Sequence, residues 1–258
     1  MAQPSYELAS QQLPGEIYQQ AATYGLGELA ATYKPKYTNA FAIIGIALGV
    51  TIVDIAAVVG IYLAGWIVWY LLAIPIIVIV WAINALIHCN LRVYIFTNGF
   101  IRAVGRQGDV VRWDQVRAIW EKVTRSGGYR SGNLTYTYTV QRSDNAIFKQ
   151  GSPLINSRDM GFRMMRAVVQ VHLPPARAAY DAGQTLTFGP INVNMQGLNN
   201  GKELIPWNQI GKVTTQQGVV CIEQNGHVIK WASVKSADVP NLSVLIALVN
   251  YVVQKQRG

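Results

Sequence analysis

The chain has 258 residues, room for one large or two small domains. It is 51% hydrophobic and only 14% charged, against roughly 25% in ordinary globular chains, which excludes a wholly water-exposed composition. Its two cysteines, Cys89 and Cys221, exclude a disulfide framework and a Cys-rich metal site and read as reduced, structural thiols.

The net charge of +9 is local: residues 91–177 hold 14 Lys/Arg against 5 Asp/Glu. A basic region beside a membrane most simply faces anionic headgroups. Nucleic acid is the other partner of a basic face, but no recognition-helix or zinc-finger pattern supports it.

Residues 1–38 are rich in Gln, Ala and Tyr, broken by Pro4, Pro14 and Pro35. They predict a partly ordered segment on the membrane surface rather than a domain.

Two apolar runs follow, Phe41 to Leu63 and Ile67 to Ile87, whose one formal charge is Asp54. Each is as long as the ~20 residues a helix needs to cross a bilayer. Only Ala64, Gly65 and Trp66 lie between them, so residues 39–90 predict a two-span transmembrane hairpin. Trp66, Trp69 and Tyr70 would mark the far interface. Lys34, Lys36 and Arg92 flank the runs while the turn has no Lys or Arg, which predicts both termini in the cytoplasm. Gly45 and Gly49 form a GxxxG pair, suited to packing between the two spans or to a homo-oligomer seam. Asp54 has no charged partner in either run. It reads as a protonated Asp in a neutral hydrogen bond, or as a contact with another subunit on an ion or proton path.

After Arg92 the pattern turns to strands. RVYIFTNGFIRAVG is strand, Asn98-Gly99 turn, strand. VVRWDQVRAIWEKVT gives two strands around an Asp114-Gln115 corner, and a basic loop, SGGYRSGN, follows. LTYTYTVQR alternates Leu134, Tyr136, Tyr138 and Val140 with three threonines, the period of a strand with one buried face. SRDMGFRMMRAVVQVHL then predicts an amphipathic helix with Ser157 as its cap.

The same order recurs. TFGPINVNMQGLNNG repeats strand–turn–strand around Gln196-Gly197, ELIPWNQIGKV repeats the corner, VVCIEQNGHVIKWASV is a hairpin around Asn225-Gly226, and VPNLSVLIALVNYVVQK closes with a helix. Trp113 and Trp207 mark the same corner in two copies and predict a buried indole in each. Residues 91–183 and 184–258 are thus read as two domains, the first basic.

VYIFTNGFIRAVG with VVRWDQVRAIW resembles the start of bacterial pleckstrin-homology-like (PH-like) domains. With the apolar runs, TYTYTVQR, FGPINV and NGKELIPW, the chain resembles uncharacterised bacterial membrane proteins of tandem PH-like build. The resemblance implies a membrane α-helical hairpin followed by α+β, two small β-barrels each closed by a C-terminal helix. It also implies a cytoplasmic binding or scaffolding role, with no cofactor or reaction. Eukaryotic PH domains hold phosphoinositide headgroups through basic residues near their early hairpins, so Arg102, Arg106, Arg112, Arg125 and Arg130 are the lipid- or partner-binding candidates. Their spacing departs from the usual Lys-xn-Arg-x-Arg arrangement, which favours loose contact with anionic lipid over a pocket. Arg158, Arg163 and Arg166 form a separate basic face on the closing helix.

None of His88, His172 and His227 stands at a catalytic spacing from a carboxylate or nucleophile, and no Gly-rich loop has a phosphate-binding form. The expectation is a non-enzymatic, cofactor-free binding or scaffold subunit of a bacterial plasma membrane. Its partners would be anionic lipid and a protein, or further copies of itself, with no metal and no nucleic acid. The alternative is a subunit of an oligomeric channel or transporter that uses Asp54.

Overall fold

The structure is a computed structural model of the chain and describes residues 13–36, 40–63, 73–105, 107–126, 133–151, 154–224 and 230–257. The predicted aromatic belt at residues 66–70, most of SGGYRSGN with Arg130, Arg106, and the Asn225-Gly226 turn lie outside them.

Helix α1 (Gly15–Thr23) and strand β1 (Leu29–Tyr33) come first, then two apolar helices, α2 (Ala40–Leu63) and α3 (Ala73–Cys89). β2 (Leu91–Phe96), β3 (Gly99–Val104) and β4 (Gln107–Arg112) complete an antiparallel sheet in the order β1-β2-β3-β4. A 3-10 corner at Trp113–Gln115 leads into a second sheet of β5 (Val116–Ser126), β6 (Asn133–Arg142) and β7 (Ile147–Gln150), closed by α4 (Ser157–Asp181).

The second copy repeats this. β8 (Leu186–Phe188), β9 (Ile191–Asn194), β10 (Gly197–Asn199) and β11 (Leu204–Pro206) form one sheet. A corner at Trp207–Gln209 leads to β12 (Ile210–Gln216), β13 (Val219–Gln224) and β14 (Lys230–Lys235), then α5 (Leu242–Arg257). Each copy is therefore four strands, a Trp corner, three strands and a helix.

The first copy draws its opening strand from before the apolar helices. β1 pairs with β2 from Leu29↔Phe96 to Tyr33↔Val93, so α2 and α3 are an insertion between two neighbouring strands. In the second copy Gly189 and Pro190 alone join the equivalent strands, β8 and β9. The segment expected to be only partly ordered thus supplies a strand. It also supplies α1, whose Ile17 and Ala21 pack with Leu26 on Tyr94, Phe96, Ile101 and Ala103. This apolar face had no visible partner in a short polar-rich stretch.

Two expectations of the sequence need correcting. The paired transmembrane spans do not form as predicted. α2 holds an 18-residue window, Ala42–Val59, with mean hydropathy 2.5, the one described helix long and apolar enough to cross a membrane. α3 has 17 described residues, about 26 Å of rise, and the apolar stretch found among them, Pro75–Leu86, falls short of that length. The pair of closed barrels is also absent: the strands make four separate open sheets. The two copies meet at the edge of β5. There Asn241, from the loop before α5, accepts from Ile119 N–H (3.0 Å) and donates to the Arg117 carbonyl (3.1 Å). Ser236 Oγ donates to the Glu121 carbonyl nearby (2.8 Å). The second copy thus occupies the edge of β5.

The two expected domains consequently share one core, running from Tyr33 and Val93 through Tyr138, Met160 and Met164 to Val193, Leu198, Leu245 and Val252. α4 helps to join them. It continues through Pro174 and Pro175, where the sequence suggests a stop, and brings buried Tyr180 edge-on to Trp207 with ring centres 5.9 Å apart. Ser157 is its first residue, not its cap; Asn156, left-handed at φ 56°, precedes it, and Asn241 at φ 52° holds the matching place before α5. Asn241→Ala, which removes both bonds across the junction, is expected to cost about 2 kcal/mol, measured as a lowered unfolding midpoint.

Candidate functional site

The repeated motif is structural. Trp113 Nε1–H donates to the Phe96 carbonyl (3.4 Å) and Trp207 Nε1–H to the Asn194 carbonyl (2.9 Å), each acceptor lying just before the first turn of its copy. Gly99 and Gly197 follow those turns, and a Cβ on either would collide with the carbonyl two residues before its Trp, Val111 or Ile205. At the first corner Arg112 grips Asp114 through Nε (3.1 Å) and Nη2 (2.8 Å).

The three described candidate arginines are divided between two sheets. Arg102 on β3 pairs with Asp109 on β4 (3.4 Å), Arg112 with Asp114, and exposed Arg125 stands on β5 in the other sheet. The basic surface is thus partly neutralised where the sequence alone suggests free charge.

A cleft of about 490 Å³ opens between α1, β4 and the β6–β7 turn, lined by residues including Gln20, Tyr24, Asp109, Arg142 and Asp144. Arg142 grips Asp144 through two nitrogens (3.0 and 2.6 Å) and also donates to the Val110 carbonyl (2.9 Å). The guanidinium, with the Ala146 N–H, lowers the Asp144 carboxyl to about 2. Beside the cleft, Gln20 Oε1 and Arg102 Nε are buried without a hydrogen-bond partner. The sequence carries a signal for this site: the Arg-x-Asp fork occurs at both Arg112-Trp113-Asp114 and Arg142-Ser143-Asp144. The residues missed were those of α1, which no local pattern ties to β4.

The junction of the insertion with the first copy is a second cluster. Tyr33, at the end of β1, donates its hydroxyl to Asp159 on α4, and Arg163 Nε donates to the same carboxylate oxygen (3.0 Å). Burial first, then the Asp159 carboxylate, holds the Tyr33 phenol far above its ordinary value, so it acts as a donor. Tyr138 likewise donates to Glu121 (3.2 Å), whose carboxyl is raised by burial.

Within the insertion, α2 and α3 touch through Ile43, Ala47, Ala82, Ala85, Leu86 and Cys89. Steps of four and seven from Ile43 and Ala47 set Asp54 on this same stripe, where it is 8% exposed and its Oδ2 has no hydrogen-bond partner. Thr51 bonds back to the Ala47 carbonyl (2.8 Å) rather than to Asp54. Gly45 and Gly49 are not packed on α3, since a Cβ on either would meet open space.

His172 on α4 is half-buried, with Nε2 unpartnered. Burial holds its pKa below the ordinary value, against a weaker pull from a hydrogen bond with the Val116 backbone. The unfolded chain therefore binds a proton near pH 6.5 that the folded chain resists, and stability falls as pH drops below that value. The expected result is a lower unfolding midpoint at pH 5 than at pH 7.5, with the difference reduced in His172→Gln.

Among the described residues no three His, Cys, Asp or Glu side chains are grouped to hold a metal ion. No curated protein and no solved structure matches the chain. One family model spans residues 1–258, and the chain belongs to that family, a family of unknown function (DUF6585).

Proposed function

We propose that the protein is a membrane-anchored, non-enzymatic binding or scaffold subunit, whose fused β copies engage anionic lipid or a protein partner at the bacterial plasma membrane. The observation that supports this best is the placement of α2. An apolar window of 18 residues, only 11% buried, sits in an insertion of α2 and α3 that is flanked by two adjacent strands of one sheet. A helix with so much exposed apolar surface is stable in lipid and not in water. Because β1 and β2 are paired in one sheet, the insertion of α2 and α3 enters and leaves the bilayer from the one face on which that sheet lies. Lys34 and Lys36 before α2 and Arg92 after α3 favour the cytoplasmic side.

Membranes from cells producing the full chain, washed at alkaline pH, test the anchor. Retention in the pellet is expected, and release into the supernatant would remove the reading. A second reading, a subunit of an oligomeric channel, is favoured by one observation, the buried and unpartnered Asp54 Oδ2. Cross-linking in native membranes separates the two: a ring of identical chains supports the channel, a different partner the scaffold.

A further inference from the structure

We infer that the outward face of the first half of α4 is a second, shallower membrane contact, laid on the lipid surface beside the entry of α2 and taking anionic headgroups as its ligands. The inference rests on the reading that α2 anchors the chain, and it names where the rest of the protein meets lipid.

Four residues form one stripe: Ile155 just before the helix, then Arg158, Phe162 and Arg166 at steps of three, four and four. That spacing keeps Arg158, Phe162 and Arg166 on one side of the helix, and Ile155 stands at its start, before left-handed Asn156. Ile155 is 49% and Phe162 61% exposed, and both arginines are exposed. The opposite stripe, Met160, Met164 and Val168, is buried in the shared core. The exposed apolar residues are therefore not surplus from packing the helix, whose core side is complete without them. Alternation of a large apolar group with a guanidinium suits an interfacial helix: the apolar groups enter the acyl boundary and the guanidiniums take phosphate oxygens.

The near end of the stripe is tied to the point where the chain leaves for the membrane. Ile155 N–H donates to the Lys34 carbonyl (2.9 Å), and Pro35 and Leu154 form an antiparallel bridge. Tyr33 and Arg163 converge on Asp159 one turn further on. α2 starts at Ala40, five residues after Pro35, a length of chain that spans at most about 18 Å. Phe162 stands five residues after Ser157, the first residue of α4, about 8 Å along the helix. Arg158 is steadied by the Tyr136 ring, 5.6 Å from guanidinium carbon to ring centre. Half-buried Lys34 and exposed Lys36 add positive charge at the same end. Continuity with α2 and this charge favour a lipid surface over a protein as the occupant.

The test uses the full chain reconstituted in phosphatidylcholine vesicles with and without phosphatidylglycerol. A polarity-sensitive fluorophore is placed on Phe162→Cys or, as a control far from the junction, on Lys212→Cys, with doxyl-labelled lipid as quencher. In vesicles containing phosphatidylglycerol the probe at 162 is expected to shift to the blue and to be quenched about twofold more than the probe at 212. Arg158→Gln with Arg166→Gln is expected to abolish the dependence on phosphatidylglycerol. A water-like, unquenched probe at 162 in a chain that resists alkaline wash overturns this contact and leaves the anchor standing. Shielding at 162 in native membranes but not in lipid vesicles also overturns it, in favour of a protein occupant. Loss of the chain from the vesicles on alkaline wash overturns the anchor and this inference together.

Discussion

Gly161→Ala is expected to be a strongly damaging one-atom change. Gly161 lies in the first turns of α4, against the ring of Tyr138 on β6, and a Cβ there would stand inside the ring's own contact distance. Tyr138 cannot retreat: it is fully buried, and its hydroxyl is held by Glu121. Either the helix must lift from the sheet or the ring must leave its rotamer. Overpacking of this kind costs about 3 kcal/mol, which for a chain of this size lowers Tm by roughly 6–12 °C. Thermal unfolding of the detergent-solubilised protein, followed by near-ultraviolet circular dichroism, measures the shift. Tyr138→Leu frees space beneath residue 161, so the double variant should lose clearly less than the sum of the two single ones. Simple additivity would mean that Gly161 is needed for some other reason than the ring.

The two corner tryptophans are expected to respond alike to truncation and differently to a conservative change. Both indoles are buried, so Trp113→Ala and Trp207→Ala should each cost about 3–5 kcal/mol. Phenylalanine keeps much of the apolar body and removes the N–H. Trp207 donates over 2.9 Å to Asn194, a bond of ordinary length, whereas the Trp113 bond to Phe96 is stretched to 3.4 Å. Losing the first leaves a good acceptor bare, at a cost of about 1 kcal/mol more than losing the second. The neighbouring rings work in the same direction. Trp207 receives Tyr180 edge-on from the helix of the other copy, while Trp113 leans on Phe100 within its own sheet. Equal midpoints for Trp113→Phe and Trp207→Phe would show that the hydrogen bond contributes nothing to the difference.

What the sequence disclosed and what it withheld divide along the range of the interactions. The Trp corners and the β6 strand are local patterns that stand in the structure where they are expected, while the turn expected at Asn98-Gly99 forms one residue earlier, at Thr97-Asn98, with Gly99 opening β3. Leu29–Tyr33 reads poorly because its partner, Leu91–Phe96, lies beyond two apolar helices, and no local period records a pairing over that distance. The junction of the two copies rests in part on Asn241 reaching Ile119, 122 positions away, and that contact is invisible to any window of the chain. Pro174-Pro175 misleads for the opposite reason. The local rule favours a helix end there, and the burial of Tyr180 against Trp207 outweighs it. The candidate arginines were chosen by type, yet Arg102 and Arg112 carry their own carboxylates, Asp109 and Asp114, on or beside β4. The stripe on α4 was half legible: its arginines stand out in the sequence, but Phe162 reads as core until the buried side of the helix is known.

One measurement bears most directly on the membrane-anchored arrangement. Lys149 on β7 and Lys212 on β12 are exposed, one in each copy, and can be replaced singly by cysteine in the full chain. The native Cys89 and Cys221 are buried, so a membrane-impermeant maleimide should report on the new site. In alkaline-washed membranes prepared as inside-out and right-side-out vesicles, both variants are expected to label in the inside-out preparation alone. Labelling of the two copies from opposite sides, or recovery of the chain in the alkaline supernatant, would contradict the account.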